Sequence, residues 1–148
     1  MRLFILPLLI LFSNLDVAAQ HSYCKWNDFY KRTDYFDKNG KLEGWSKYND
    51  FYKRTDYFDK DGKLVRYEQN NDFYKRTDTK DSKGKLESTK SYNDFYKREE
   101  IKDANGKIVS YQKWNDFYKR YDVYDKNNHL VGFYKYNDFY KRWEYHEK

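Results

Sequence analysis

Residues 27 to 48 read Asn-Asp-Phe-Tyr-Lys-Arg-Thr-Asp-Tyr-Phe-Asp-Lys-Asn-Gly-Lys-Leu-Glu-Gly-Trp-Ser-Lys-Tyr, and the first six of these residues return unchanged at 49, 71, 93, 115 and 137. The spacing is 22 residues each time, and the sixth copy is broken off after Lys148. A fixed period is read before local propensity, because a repeat buries its face only against its neighbours. Residues 20–26 are a partial leading unit, the tail of an earlier copy, and 27–148 are six tandem repeats.

A second element recurs inside the unit: Asn39-Gly40, Asp61-Gly62, Lys83-Gly84, Asn105-Gly106 and Asn127-Asn128, each followed by Lys or His and then Leu or Ile. Asn-Gly and Asp-Gly accept the positive φ of a type I′ turn, and Phe51 to Phe58 and Leu64 to Tyr67 are aromatic enough for strands. This predicts one β-hairpin per unit, with Asn-Asp marking the reverse turn. The Asp-x-x-Gly-x-Leu pattern, seen in Tyr-Phe-Asp-Lys-Asn-Gly-Lys-Leu at 35 to 42, resembles the bacterial MORN-type and YD-type repeats. That resemblance implies hairpins stacked into an open or wrapped sheet, in a secreted protein for binding or adhesion.

Composition argues against a large core. Aromatic residues make up 22% of the 148, Val, Ile and Leu are scarce beyond the first 20, and the mean hydropathy is -1.29. Aligned positions drift from apolar to polar: Tyr35, Tyr57, Thr79, Ile101, Val123; then Phe36, Phe58, Lys80, Lys102, Tyr124; then Trp45, Tyr67, Thr89, Tyr111, Phe133. Between Arg76 and Tyr92 the third unit has Leu86 as its sole large apolar residue. Each lost aromatic burial forfeits about 1.5–3 kcal/mol. The expected fold is therefore mostly disordered or weakly β: tandem 22-residue β-hairpin-like repeats after a signal peptide, with no large core.

The signal is the apolar run Leu3 to Phe12 behind Arg2, followed by Val17-Ala18-Ala19. Ten apolar residues are too few for a span of about 20, and small residues at the −3 and −1 positions place cleavage after Ala19. Residues 1–19 are read as the signal peptide, the mature chain begins at Gln20, and the destination is the secretory pathway without stable membrane association. Cys24 is the only cysteine, which excludes an internal disulfide and leaves a neutral thiol near a mobile N-terminus, or a link between chains. The net charge of +6 comes from 30 basic residues interleaved with 24 acidic ones, so no basic face marks a nucleic-acid partner.

Invariance of the hexapeptide has two explanations. Packing fixes apolar positions, yet here polar Asn, Asp, Lys and Arg are the residues held identical. The other explanation is a product followed by a cutting signal. All dibasic pairs, Lys31-Arg32, Lys53-Arg54, Lys75-Arg76, Lys97-Arg98, Lys119-Arg120 and Lys141-Arg142, lie in one register behind Asn-Asp-Phe-Tyr. Secretory subtilisin-like proteases read two adjacent cations in an extended, exposed segment.

Signal, tandem units and a short segment ending in Lys-Arg together resemble the fungal precursors of ribosomally made cyclic peptides of the ustiloxin, phomopsin and asperipin type. The resemblance implies a kexin-like protease, a carboxypeptidase and a Tyr-oxidising cyclisation enzyme as partners. It places core peptides at Asn27-Asp28-Phe29-Tyr30, Asn49-Asp50-Phe51-Tyr52, Asn71-Asp72-Phe73-Tyr74, Asn93-Asp94-Phe95-Tyr96, Asn115-Asp116-Phe117-Tyr118 and Asn137-Asp138-Phe139-Tyr140. The Tyr30 phenol has the chemistry for oxidative crosslinking. Neuropeptide and pheromone precursors share the layout and would release longer pieces such as Thr33 to Tyr52. As alternate faces of a strand, Phe29 would point inward and Tyr30 outward.

No enzyme is expected. His21, His129 and His146 fall at unrelated repeat positions, no metal or cofactor site is legible, and Asp37-Lys38-Asn39-Gly40 is read as a turn rather than a calcium loop.

Overall fold

A computed structural model describes residues 22–148; the signal segment, cleavage after Ala19, the start at Gln20 and His21 lie outside the described residues. Each repeat contributes two antiparallel strands. β1 is Tyr23–Asn27, β2 Arg32–Phe36, β3 Leu42–Asn49, β4 Arg54–Asp59, β5 Leu64–Asn71 and β6 Arg76–Asp81. They are followed by β7 Leu86–Asn93, β8 Arg98–Asp103, β9 Ile108–Asn115, β10 Arg120–Asp125, β11 Leu130–Asn137 and β12 Arg142–Glu147. Each strand pairs with its sequence neighbours, and β1 pairs with β12, so the sheet closes into a twelve-stranded barrel.

Closure uses the repeat register. Within the sheet Thr33 faces Ser46 and Asp34 faces Trp45, and across the seam Trp143 faces Cys24 and Glu144 faces Tyr23. β1 therefore supplies to the sixth unit the strand that the next unit's tail supplies elsewhere. The same pairing steps recur from unit to unit and return to their starting point, so a rotation relates one unit to the next. The pairing itself is staggered, since Thr33 faces Ser46 and Ser46 faces Tyr57, two residues beyond the equivalent Thr55, and that repeated stagger is the shear a barrel needs. Hexapeptide loops all connect odd strands to the following even ones and gather at one end of the barrel, while the Asp-x-x-Gly turns gather at the other.

The turns differ from the type I′ expectation. Gly40 has φ +80, Asn39 is not among the positive-φ residues, and Gly40 N–H donates to the Asp37 carbonyl at 3.1 Å. One left-handed residue after a tight turn is the three-residue hairpin with a bulge, in which only the glycine position needs positive φ. In the fifth unit Asn128 takes it, at φ 66. The aspartate opening each turn is explained by its carboxylate: Asp37 Oδ1 accepts the N–H groups of Asn39 and Lys41 at 2.8 and 2.9 Å. Those bonds, led by the one from Lys41, hold the Asp37 carboxyl below its ordinary pKa.

A disordered or weakly β chain without a large core is thus corrected. A barrel has no edges, so every strand finds partners on both sides whatever its side chains contribute. Cys24, Tyr35, Tyr57, Val123 and Tyr134 form one buried cluster, flanked by Tyr121, Val131, Trp143 and Tyr145. They come from strands on both sides of the seam, so their shared side is the interior. By alternation Thr33 and Tyr35 point in, while Arg32, Asp34 and Phe36 point out.

The third unit is paired like the others, with β6 aligned to β5 and β7 in the common register. Where aromatics are missing the interior is lined by small or polar residues: Thr79, Ser88 and Ser110 are buried, and Lys90 Nζ lies 4.0 Å from Glu68 Oε2. Gln112 Nε2 donates to Glu99 Oε1 at 3.1 Å. Cys24 is also in this core, not on a mobile terminus, and burial pushes its thiol pKa up to about 11.

Burial raises the Glu99 carboxyl pKa, against the opposing pull of Lys90 and the Gln112 hydrogen bond. A carboxyl whose folded pKa is raised contributes most below its unfolded pKa of about 4.3, and that contribution is lost as pH rises through the folded value. Glu99→Gln keeps the acceptor for Gln112 and removes the charge. Its melting temperature is expected to exceed the parent's at pH 7 and to converge with it near pH 4; a lower value at pH 7 would contradict this assignment.

Candidate functional site

The hexapeptide is a closed loop on a rigid base. Asn27 ends β1 and Arg32 begins β2, and between them the Asn27 Oδ1 accepts the Tyr30 N–H at 3.2 Å. The same bond recurs at 3.1–3.3 Å in the other five loops. Lys31, Lys53, Lys75, Lys97, Lys119 and Lys141 take φ of 49–51, the left-handed turn of the chain back into the next strand. A Lys there is disfavoured by Cβ sterics relative to Gly or Asn.

Beneath each loop is a residue whose role the sequence reading missed: Asp34, Asp56, Asp78, Glu100, Asp122 or Glu144, two residues after the arginine in every copy. Asn27 Nδ2 donates to Asp34 Oδ2 at 2.7 Å, and Arg32 Nε donates to Asp34 Oδ1 at 2.6 Å. Equivalent Asn bonds span 2.8–3.2 Å in the next three loops and the sixth, with 2.7 Å at Asn115. The arginine bonds are 2.6–2.9 Å. Asn and Arg are therefore fixed by the fold: together they satisfy a carboxylate that is buried in five of the six copies. Asn137 and Arg142 bond Glu144 likewise; burial alone would raise its pKa, and these hydrogen bonds with the nearby positive charge reverse that shift and lower it.

The guanidinium is also held between rings. Its carbon lies 4.5–4.8 Å from the centroid of the loop tyrosine in all six copies. On the other side, at 3.8–4.6 Å, are Trp45, Tyr67, Tyr111, Phe133 and, across the seam, Tyr23. Most of these outer rings stack in turn on the neighbouring unit: Tyr23 on Phe36, Trp45 on Phe58, Tyr111 on Tyr124 and Phe133 on His146. The third unit has Thr89 instead, and Arg76 is 31% exposed where Arg32 and Arg54 are 18% exposed.

Phe29 and its equivalents have no such role. Phe29 is 86% exposed and Phe51, Phe73, Phe95, Phe117 and Phe139 are each 85% exposed. Each meets only the edge of its own tyrosine, at 4.8–4.9 Å between centroids. The strand alternation with Phe29 inward is corrected: the backbone turns here, and the ring faces solvent. Around the same rim Trp26, Tyr48, Tyr92, Trp114 and Tyr136 are 39–58% exposed. Six loops thus form a crown of exposed aromatics at one end of the barrel. Exposed large apolar side chains gathered at one end of a fold, beyond the single ones normal on any surface, make that end a candidate interaction site.

The twenty-four residues expected as core peptide and the twelve as processing sites are thereby placed on one rim. They meet in six equivalent loops, and the loops' arginines are engaged while the phenylalanines and lysines project. Compared with protein-family models, curated proteins and solved structures, the chain matches none.

Two variants test the clamp. Arg54→Leu leaves the Asp56 carboxylate buried without its cation, a loss expected at about 3–5 kcal/mol in chemical denaturation; a loss under about 1 kcal/mol would show that the pair is dispensable. Thr89→Tyr restores the missing outer ring over Arg76 and is expected to stabilise by about 0.5–1 kcal/mol, read as a higher melting temperature. An unchanged or lower value would contradict the sandwich.

Proposed function

We propose that this chain acts as an intact, secreted binding protein, a barrel that presents its partner with six copies of one aromatic loop. The observation that carries this is the six phenylalanines at 85–86% exposure. The fold gives reasons for Asn, Arg and the tyrosine of the hexapeptide, and gives none for a solvated Phe, whose exposure only costs solubility. Elsewhere the units have diverged, as Tyr35, Tyr57, Thr79, Ile101 and Val123 illustrate, so recent duplication does not account for the loop's identity. Repetition around a closed ring supports multivalent attachment, in which weak single contacts add through high effective concentration.

Excision at Lys-Arg by a kexin-like protease, followed by trimming with a carboxypeptidase and oxidative cyclisation through tyrosine, remains a second reading. It is favoured by the lysines, which hold a disfavoured left-handed conformation in every copy without a fold-based reason for being Lys. Against it, protease subsites take an extended segment, while here the backbone turns at Lys and the Arg side chain is bonded to a carboxylate and stacked between rings. Cleavage would follow local unfolding.

Intact-mass analysis of the secreted material, together with exposure of the folded chain to a kexin-type protease, separates the two. The binding reading expects one intact species beginning near Gln20, cut at Lys-Arg only once denatured. Peptides ending at Tyr30, Tyr52 or their equivalents, released from the native chain, would overturn it in favour of excision.

A further inference from the structure

We infer that the aromatic crown docks on the interface of an anionic lipid bilayer, with the six phenylalanine tips inserted among the headgroups and acyl chains. This rests on the binding-protein reading above and assigns its partner by chemistry. Three observations favour a lipid surface.

The first is shape. The repeated pairing steps close after six units, so the loops are related by rotation and lie on one ring at one end of the barrel. A flat, fluid surface can meet all six at once, whereas a folded protein partner would need sixfold complementarity of its own.

The second is chemistry by depth. Phe, wholly apolar, is outermost. Tyr30 and its equivalents, with Trp26, Trp114, Tyr48, Tyr92 and Tyr136, sit behind at partial exposure. Apolar tips backed by Tyr and Trp match the ordering of a bilayer from acyl chains to headgroups.

The third is charge. Loop lysines and loop aspartates are equal in number, and in two of the six loops they pair, Lys31 Nζ 3.5 Å from Asp28 and Lys119 Nζ 3.3 Å from Asp116, while the arginines are neutralised by the carboxylates beneath them. Exposed Lys25, Lys47, Lys113 and Lys135, one residue before the ring of Trp26, Tyr48, Trp114 and Tyr136, are left as net positive charge at this end. They would lie at headgroup level, where each basic residue is attracted to an anionic leaflet.

Docking differs from spanning. The strands are five to eight residues long, below the about 9–11 of a membrane-crossing strand, and their outward faces carry an Arg and an Asp or Glu in every unit. The barrel stands on the bilayer by its rim.

The test is cosedimentation of the full mature chain with vesicles of phosphatidylcholine alone and of phosphatidylcholine with one-fifth phosphatidylserine. The companion is a variant carrying Phe→Ser at 29, 51, 73, 95, 117 and 139, checked for an unchanged melting transition. A second variant, with Lys25, Lys47, Lys113 and Lys135 each changed to Glu, probes charge. Expected are binding to the anionic vesicles, at least a tenfold loss in the Phe→Ser variant, and a similar loss with the charge variant that added salt reproduces in the parent.

Quenching of Trp26 and Trp114 fluorescence by brominated acyl chains, in a Trp45→Phe, Trp143→Phe background, is expected to report rim-first contact. Failure of the intact parent to bind either vesicle overturns the lipid assignment while leaving the binding-protein reading standing. Crown-dependent rim-to-rim dimers in sedimentation, without vesicle binding, also overturn it and make a second copy the occupant. Recovery of excised peptides in place of the intact chain would instead defeat the reading on which the inference rests.

Discussion

The structure depends on one carboxylate per repeat, held beneath its own loop by an asparagine and an arginine from that loop. A buried carboxylate without partners would cost several kcal/mol, so wherever Asp34 or its equivalent sits, Asn27 and Arg32 must converge on it. That convergence fixes where one strand stops and the next begins. It also aims the rest of the loop: with Asn27 Oδ1 turned to the Tyr30 amide and Arg32 stacked on the Tyr30 ring, Phe29 has nowhere to go but outward. One local constraint, repeated at a constant period, becomes a ring of identical projections.

Closure complements the clamp. An open sheet of these hairpins would leave two unpaired edges and a third unit with few apolar side chains to hold it. In the barrel β6 and β7 are flanked on both sides, and Thr79, Ser88 and the Lys90 pair with Glu68 are accommodated inside because neighbouring backbones are already satisfied. Aromatic residues divide between two tasks. Tyr35, Tyr57 and Tyr134 fill the interior, and Trp45, Tyr111 and Phe133 form the outer stacks over the arginines. Low aliphatic content therefore does not measure the stability of this fold, since an outer layer of ring and guanidinium contacts replaces part of what a Leu and Val core would supply.

The hairpin repeat was legible from the 22-residue period and the Asp-x-x-Gly turns. The clamp was legible too, in an acidic residue two positions after every Lys-Arg, but the same basic pair also spells a dibasic cutting signal, and the carboxylate that follows has no part in that pattern. Closure was harder to see. It requires matching the tail at Tyr23 to Trp26 with the broken-off sixth unit, a relation between two ends that no local pattern expresses. Exposure of Phe29 was legible only in part: Asn-Asp marks the reverse turn, but strand alternation predicts an inward ring, and the turn that continues to Lys31 sends it out.

All six units form one closed, cooperative sheet, and amide hydrogen exchange on the intact chain is the measurement that tests this. Slow exchange is expected throughout the paired strands, with β6 and β7 and the β1–β12 seam protected to the same extent as the aromatic-rich units and opening together with them. Rapid exchange across residues 76–93, or at Cys24 and Trp143, would mean an open or partly ordered chain in place of a closed barrel.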